Sequence, residues 1–254
     1  MPDRFSVSGT AVVTGASSGI GRAVAERFAA DGADVVVCSR EQDNVDPVAE
    51  AIREDGGSAL AVECDVTDRD AVDALVEATV EEFGGLDVLV NNAGASFVAG
   101  FDDISPNGWD TIMDVNLGGT YHCTHAAAEH LKDGGGAVVN VASVAGQEGA
   151  PYMSHYAAAK AAIINLTRTL AMEWAGDDVR VNCIAPGFVA TPGLEAQMGV
   201  SADDVDRDEV DRRIGVSEEI ADAVRFLASP AASFVVGETL TAGGVPQGEE
   251  VPSL

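Results

Sequence analysis

Lysine is almost missing from this chain. Its 254 residues hold two, Lys132 and Lys160, against twelve arginines. Cations number 14 against 42 aspartates and glutamates, a formal net charge of -28. That balance removes the basic footprint of a nucleic-acid binder and repels anionic lipid, so neither nucleic acid nor a membrane is expected as a partner. The acids are spread along the whole chain rather than gathered in a tail. Such a surface resembles those of proteins from salt-loving organisms. In about 1 M salt the Debye length falls to roughly 3 Å, which screens the self-repulsion of dense carboxylates. A halophilic source, with stability lost at low salt, is the expectation.

Other absences narrow the class. No apolar run reaches the length of a membrane span, because Asp, Gly or Arg interrupts each one. The opening Met-Pro-Asp-Arg-Phe-Ser lacks the apolar core of a secretory signal. A soluble cytoplasmic protein is expected. The four cysteines, Cys38, Cys64, Cys123 and Cys183, stand singly without C-x-x-C spacing and read as buried free thiols. His122 and His125 would share a helix face with no third ligand near, so no metal site is expected. No linker, repeat or low-complexity stretch divides the chain, and residues 1–254 read as one domain.

What is present is an alternation. Apolar runs at Thr10–Thr14, Asp34–Cys38, Ala59–Cys64, Leu86–Val90, Ala137–Ala142 and Val179–Ile184 read as buried strands, with a short last one at Glu238–Thr241. Between them lie helical stretches: about Ile20–Ala30, Asp46–Glu54, Asp68 to about Phe83, Trp109–Leu131, Tyr156–Ala175 and Ser217–Ala228. Asp68, Ser154 and Ser217 read as N-caps, and Gly32 and Gly84 as stops. Residues 186–208 show no steady period and read as a loop with short helices. Strand and helix in strict alternation predict an α/β fold: one doubly wound, Rossmann-type parallel sheet with helices on both faces.

Two stretches carry chemistry. Gly15, Gly19 and Gly21 follow the first strand and open a helix, spaced G-x-x-x-G-x-G. Glycines let a backbone approach a phosphate closely, and the helix start offers free N–H groups and a positive dipole end. Tyr156 and Lys160 are four apart, one turn on one helix face. A phenol is a poor acid or base near neutral pH, and a neighbouring ammonium is expected to lower its pKa and make the pair an acid/base unit. A half-buried ring beside a solvated amine is the plainer reading of that pair, and a plain strand–helix turn that of the glycines.

Taken in order, Thr14-Gly15-Ala16-Ser17-Ser18-Gly19-Ile20-Gly21, Asn91-Asn92-Ala93-Gly94, Asn116, Ser143, Tyr156-x-x-x-Lys160 and Pro186-Gly187 resemble the motif set of the short-chain dehydrogenase/reductase family. The resemblance runs from about Thr10 to Gly244. It implies an NAD(P)(H)-dependent oxidoreductase that interconverts a ketone and a secondary alcohol. Tyr156 would be the general acid/base, Lys160 would lower its pKa and hold the nicotinamide ribose, and Ser143 would bond the substrate oxygen. Asn116 would bend its helix and hold a water in a proton relay. Gly15, Ser17, Ser18, Gly19, Ile20 and Gly21 would line the pyrophosphate. Asp65 and Val66 would flank the adenine, and Asn92, Ala93 and Gly94 its ribose. Pro186, Gly187, Val189 and Thr191 would meet the nicotinamide end.

Where an acid would select NAD(H), the second strand ends in Ser39-Arg40. A guanidinium suits a 2'-phosphate, so NADP(H) is favoured, with NAD(H) possible. Arg40 could instead stack on adenine or pair with Glu41. Phe97, Val98, Glu148, Tyr152, Met153 and a lid over about residues 188–215 would bound the substrate pocket without naming a substrate. Family members are usually homotetramers, or dimers. Two alternatives stay open: a nucleotide-sensing binding protein without turnover, and an enoyl-thioester reductase of the same fold.

Overall fold

The structure, a computed structural model, describes residues 3–212 and 214–245. Arg213 of the expected lid, and all but the beginning of the Gly/Pro-rich tail, lie outside the described residues.

Seven strands form one parallel sheet. They are β1 Thr10–Thr14, β2 Asp34–Ser39, β3 Ser58–Glu63, β4 Val88–Asn91, β5 Ala137–Val141, β6 Arg180–Pro186 and β9 Thr239–Ala242. Their order across the sheet is β3-β2-β1-β4-β5-β6-β9. The order reverses at β1, which pairs with β2 on one side and β4 on the other. A crevice therefore opens between the turns that follow β1 and β4, where open α/β sheets bind their ligands.

Alternate residues of each strand face opposite layers. Ala11 and Val13 join one core with Phe28, Val45 and Leu227, under α1 (Gly19–Asp31), α2 (Gln42–Glu54) and α8 (Ser217–Ala228). Val12 joins the other with Leu75, Leu131 and Trp174, under α3 (Arg69–Phe83), α5 (Gly119–Lys132) and α6 (Ser154–Trp174). All four cysteines are free and buried. A carboxylate ties α1 to α8: Asp31 accepts from Arg225 Nε and Nη2, both at 2.7 Å, and from the Val7 backbone N–H at 2.9 Å.

Local details depart from the sequence reading in five places. First, α2 begins at Gln42, four residues before the expected start and upstream of Pro47. Gln42 Nε2 reaches Asp46 and the Ala61 carbonyl of β3, so contacts with the sheet add the turn. Second, Ser154 is the first helical residue of α6 rather than its cap; Met153 holds that place, and the Ser154 hydroxyl is buried without a partner. Third, Ser217 is likewise already helical. Val216 precedes it, and its N–H is held by the Glu219 carboxylate at 3.0 Å. Asp68 does cap α3, accepting from Asp70 N–H at 3.0 Å.

Fourth, the expected helix over Trp109–Leu131 is not continuous. It consists of α4 (Pro106–Met113), a π-helical turn (Asp114–Gly118) and α5. Asn116 causes the break. Its Nδ2 donates to the Ile112 carbonyl four residues back, at 2.9 Å, and to Ala95 O at 2.8 Å, competing with the backbone ladder. Fifth, the aperiodic stretch after Pro186 contains order that its short elements conceal. β7 (Phe188–Ala190) and β8 (Ile214–Val216) pair in parallel, with α7 (Pro192–Met198) between them.

Candidate active site

The residues singled out in the sequence lie at the C-terminal ends of strands, in the turns beyond them, or on α1, α6 and the π-helical turn. The β1 turn and the β4 turn are locked together. Asn92 Nδ2 donates to the Thr14 and Gly15 carbonyls at 2.9 and 3.0 Å. The backbone N–H groups of Asn92 and Ala93 both donate to the Thr14 hydroxyl at 3.0 Å. Gly15 sits at φ +63°, and a Cβ there would come within 2.8 Å of Ala93 Cα. At Gly21 a Cβ would run into Asn92 Nδ2 and the Gly15 carbonyl. The glycines therefore make a turn that no side chain could share, just before the start of α1. That cradle, with its free helix N–H groups, fits a dinucleotide pyrophosphate.

The remaining expected cofactor contacts divide by what they can offer. Ser39 and Arg40 end β2; the Ser39 hydroxyl bonds the Glu41 carbonyl at 2.9 Å. Arg40 is exposed and makes no ion pair among the described residues, so the pairing with Glu41 is not formed. Asp65 is committed to its own turn, accepting from Thr67 N–H and Oγ1 at 2.9 and 2.8 Å. Val66 and Val189 are core residues. Thr191 packs against Gly19 and caps α7, so the expected lid begins at the glycine turn.

Tyr156 and Lys160 lie one turn apart on α6. The Ser143 hydroxyl, at the end of the β5 segment, lies near enough to the Tyr156 phenol to act on its proton affinity. Ser143 also caps the short helix Val144–Gly146, accepting from Ala145 N–H at 3.2 Å, so the plain capping role and the contact with Tyr156 coexist. Lys160 is buried, its Nζ donating to the Val141 carbonyl at 2.8 Å and lying 5.5 Å from the Tyr156 ring centroid. A Cβ added to Gly94 would stand 2.8 Å from Asn116 Oδ1 and 3.5 Å from Lys160 Nζ, so both atoms flank one point. Asn116 Oδ1 is buried and has no partner among the described residues. Such an atom calls for a donor such as a water or a ligand hydroxyl.

The electrostatics correct one expectation. Burial pushes the Tyr156 phenol above its usual value, and the Ser143 hydroxyl pulls only partly against it. The lowering expected from Lys160 is not present. Burial instead draws the lysine down to about 8, with its ammonium turned to a main-chain carbonyl.

Sequence reading missed the supports of this site. A buried polar chain runs from Asn116 to α6. The Thr120 hydroxyl donates to the Asn116 carbonyl at 2.8 Å, and the Thr124 hydroxyl to the Thr120 carbonyl at 2.6 Å. Asn91 then donates to Thr124 Oγ1 and Asn140 Oδ1, both at 2.8 Å, and Asn140 to Thr167 Oγ1 at 2.9 Å. Asn140 in the middle of the apolar run Ala-Val-Val-Asn-Val was the available signal.

Known proteins share much of this sequence and this fold. A family profile described as enoyl-(acyl carrier protein) reductase matches residues 15–244. A short-chain reductase protein, NovJ, of Streptomyces niveus is 44% identical over 92% of both chains. The cis-4-hydroxycyclohexanecarboxylate dehydrogenase of Sinomonas cyclohexanicum is also 44% identical, over 92% of this chain and 94% of that one. A crystal structure of a short-chain type dehydrogenase/reductase from Mycobacterium marinum superposes with TM-score 0.87 at 34% identity, covering 95% of this chain and 97% of the other. The chain belongs to the short-chain dehydrogenase/reductase family. It is an NAD(P)-dependent oxidoreductase that interconverts a ketone and a secondary alcohol.

Proposed function

We propose that Tyr156, Ser143, Lys160 and Asn116 carry this reaction as one unit, on a chain that works as a single Rossmann-type domain. The observation that carries the proposal is the buried Lys160 ammonium 5.5 Å from the Tyr156 ring centroid and flanking one point with Asn116 Oδ1, at the sheet edge that also bears the glycine cradle. Bound nicotinamide supplies or accepts the hydride. Tyr156 gives its phenolic proton to the ketone oxygen in reduction and takes it back in oxidation. Its raised proton affinity keeps it a donor at neutral pH, which suits the reductive direction. Ser143 donates a hydrogen bond to the same oxygen as negative charge grows on it. Lys160 and the unpartnered Asn116 Oδ1 flank the path by which a water restores the proton.

Arg40, exposed and free of ion pairs at the end of β2, supports NADP(H) over NAD(H). Residues 188–215 serve as the substrate lid. Exposed Tyr121 on α5 and Met172 on α6 support assembly through those helices, as a homotetramer or dimer. Composition supports a halophilic, cytoplasmic setting. The intact Ser143–Tyr156 contact favours carbonyl over enoyl reduction.

The test is a panel of ketones and secondary alcohols read at 340 nm with both cofactors in molar KCl. Wild type turns over members of the panel. Tyr156→Phe loses roughly 10²-fold or more in kcat while still binding cofactor. Wild-type kcat in that variant would remove Tyr156 from its role.

A further inference from the structure

We infer that the substrate of this site is an uncharged ketone or alcohol with an apolar body, not one bearing a carboxylate or phosphate. The inference rests on the oxidoreductase reading above and adds the substrate class. The loops after β4, β5 and β6 leave the same edge of the parallel sheet, the edge at which the C-terminal ends of open α/β strands bind ligands. The first two are stitched to each other: Ala99 N–H donates to the Tyr152 carbonyl at 2.9 Å, and Phe97 stands edge-on to His155 at 4.1 Å. The third follows Gly187, which packs on Gly243, itself against Val144 beside Ser143.

These loops expose large apolar side chains of a kind that folding normally hides. Phe97 is 37% exposed, Val98 66%, Tyr152 66%, Phe188 58% and Met198 55%. Tyr152 holds its place at φ +65°, a conformation that costs a bulky residue energy and tends to persist where function needs it.

On the loops after β4 and β5 the charges have one sign, and the lid adds both signs. Asp102, Asp103, Glu148 and Glu195 are all exposed on these loops. Of the described arginines in the lid, Arg212 is held by both oxygens of Glu219 and by the Ile214 carbonyl, and Arg207 Nε faces the same Glu219 at 3.9 Å. Among the described residues, the loops after β4 and β5 carry no cation at all. An anionic group on the substrate would lose hydration on entry and face the carboxylates of the loops after β4 and β5. An apolar body covers the exposed rings and side chains instead, with Ser143 and Tyr156 taking its single oxygen.

The relative that is a cis-4-hydroxycyclohexanecarboxylate dehydrogenase supplies the contrast by its name, since that compound carries a carboxylate. The experiment measures kcat/KM for ketones of one skeleton in neutral and anionic form, at one low ionic strength. The first pair is methyl 4-oxocyclohexanecarboxylate and 4-oxocyclohexanecarboxylate, followed by neutral and acidic members of open-chain and bicyclic series. At low ionic strength the neutral member is expected to lead by several-fold, and the lead is expected to shrink as salt screens the exposed carboxylates. Glu148→Lys is expected to narrow the gap several-fold through the KM of the anion. Equal rates, or a lead for the carboxylates, overturn the inference and leave the oxidoreductase reading standing. Absence of turnover for every member, with either cofactor, removes both.

Discussion

Lys160 is the residue on which composition and structure converge. A chain with twelve arginines keeps one of its two lysines one turn from Tyr156, where a compact ammonium, unlike a guanidinium, fits between a phenol and a main-chain carbonyl. Its burial has a cost with a defined pH dependence. The ordinary value of 10.5 falls to about 8 in the fold, so the folded state disfavours the charge. Below pH 8 both states hold the proton and the penalty is complete. Between pH 8 and 10.5 the unfolded chain binds more protons than the native one, so stability rises with pH there. Lys160→Met is therefore expected to abolish most turnover and yet to raise stability at pH 7, by up to about 3 kcal/mol. That gain should shrink as the pH passes 8. Chemical denaturation of both proteins at pH 7 and pH 9.5 checks it, and a variant destabilised equally at both values refutes it.

Arg40 belongs to the same scale. Its exposure leaves it free for a ligand, and its replacement disturbs nothing packed. Arg40→Asp should lower the NADP/NAD ratio of kcat/KM by about tenfold or more, since a bidentate cation is exchanged for a repulsive anion. An unchanged ratio would mean that Arg40 does not read the 2'-phosphate.

At the scale of elements, the informative contacts join parts of the chain that are far apart. The pairing of α1 with α8 depends on Asp31, which meets two guanidinium nitrogens and a backbone N–H while its own side chain is largely buried. Asp31→Ala should cost about 2–3 kcal/mol, a fall of roughly 5–10 °C in Tm for a domain of this size. Removing the solvent-facing Arg22–Glu26 pair by Arg22→Ala should change stability by less than about 0.5 kcal/mol. Thermal melts of the two variants beside wild type distinguish them. The π-helical turn is likewise an element-scale feature. The periodicity of residues 109–131 argues for an unbroken helix. Only the Ala95 carbonyl, brought in from the loop after β4, lets Asn116 take up both amide hydrogens and open the turn.

Over the whole molecule, charge governs. A net charge of -28 on 254 residues is a repulsion that native contacts must outweigh, and salt weakens it without touching the core. The melting temperature is expected to rise by about 10 °C or more between dilute buffer and 2 M KCl. A melting temperature indifferent to KCl would sink the halophilic reading. No helix among the described residues is long and apolar enough to cross a membrane.

The chain itself determined the strand–helix alternation, because buried strands and amphipathic helices leave different periods in the residues. It also determined the Thr10–Thr14 strand to the residue, the Asp68 cap and the glycine turn, because each is a local pattern with local chemistry, while Asn116, Ser143, Tyr156 and Lys160 were singled out together by their resemblance to a family motif set. What only the tertiary structure decided rests on distant neighbours. The β7–β8 pair joins segments too short to show a period. Ser154 and Ser217 look like caps until the backbone before them is seen to be the true boundary. The proton affinity of Tyr156 turned opposite to the helix-spacing argument. Two residues one turn apart predict mutual influence, but burial and the Val141 carbonyl, neither visible at that spacing, set which way the phenol and the ammonium each move.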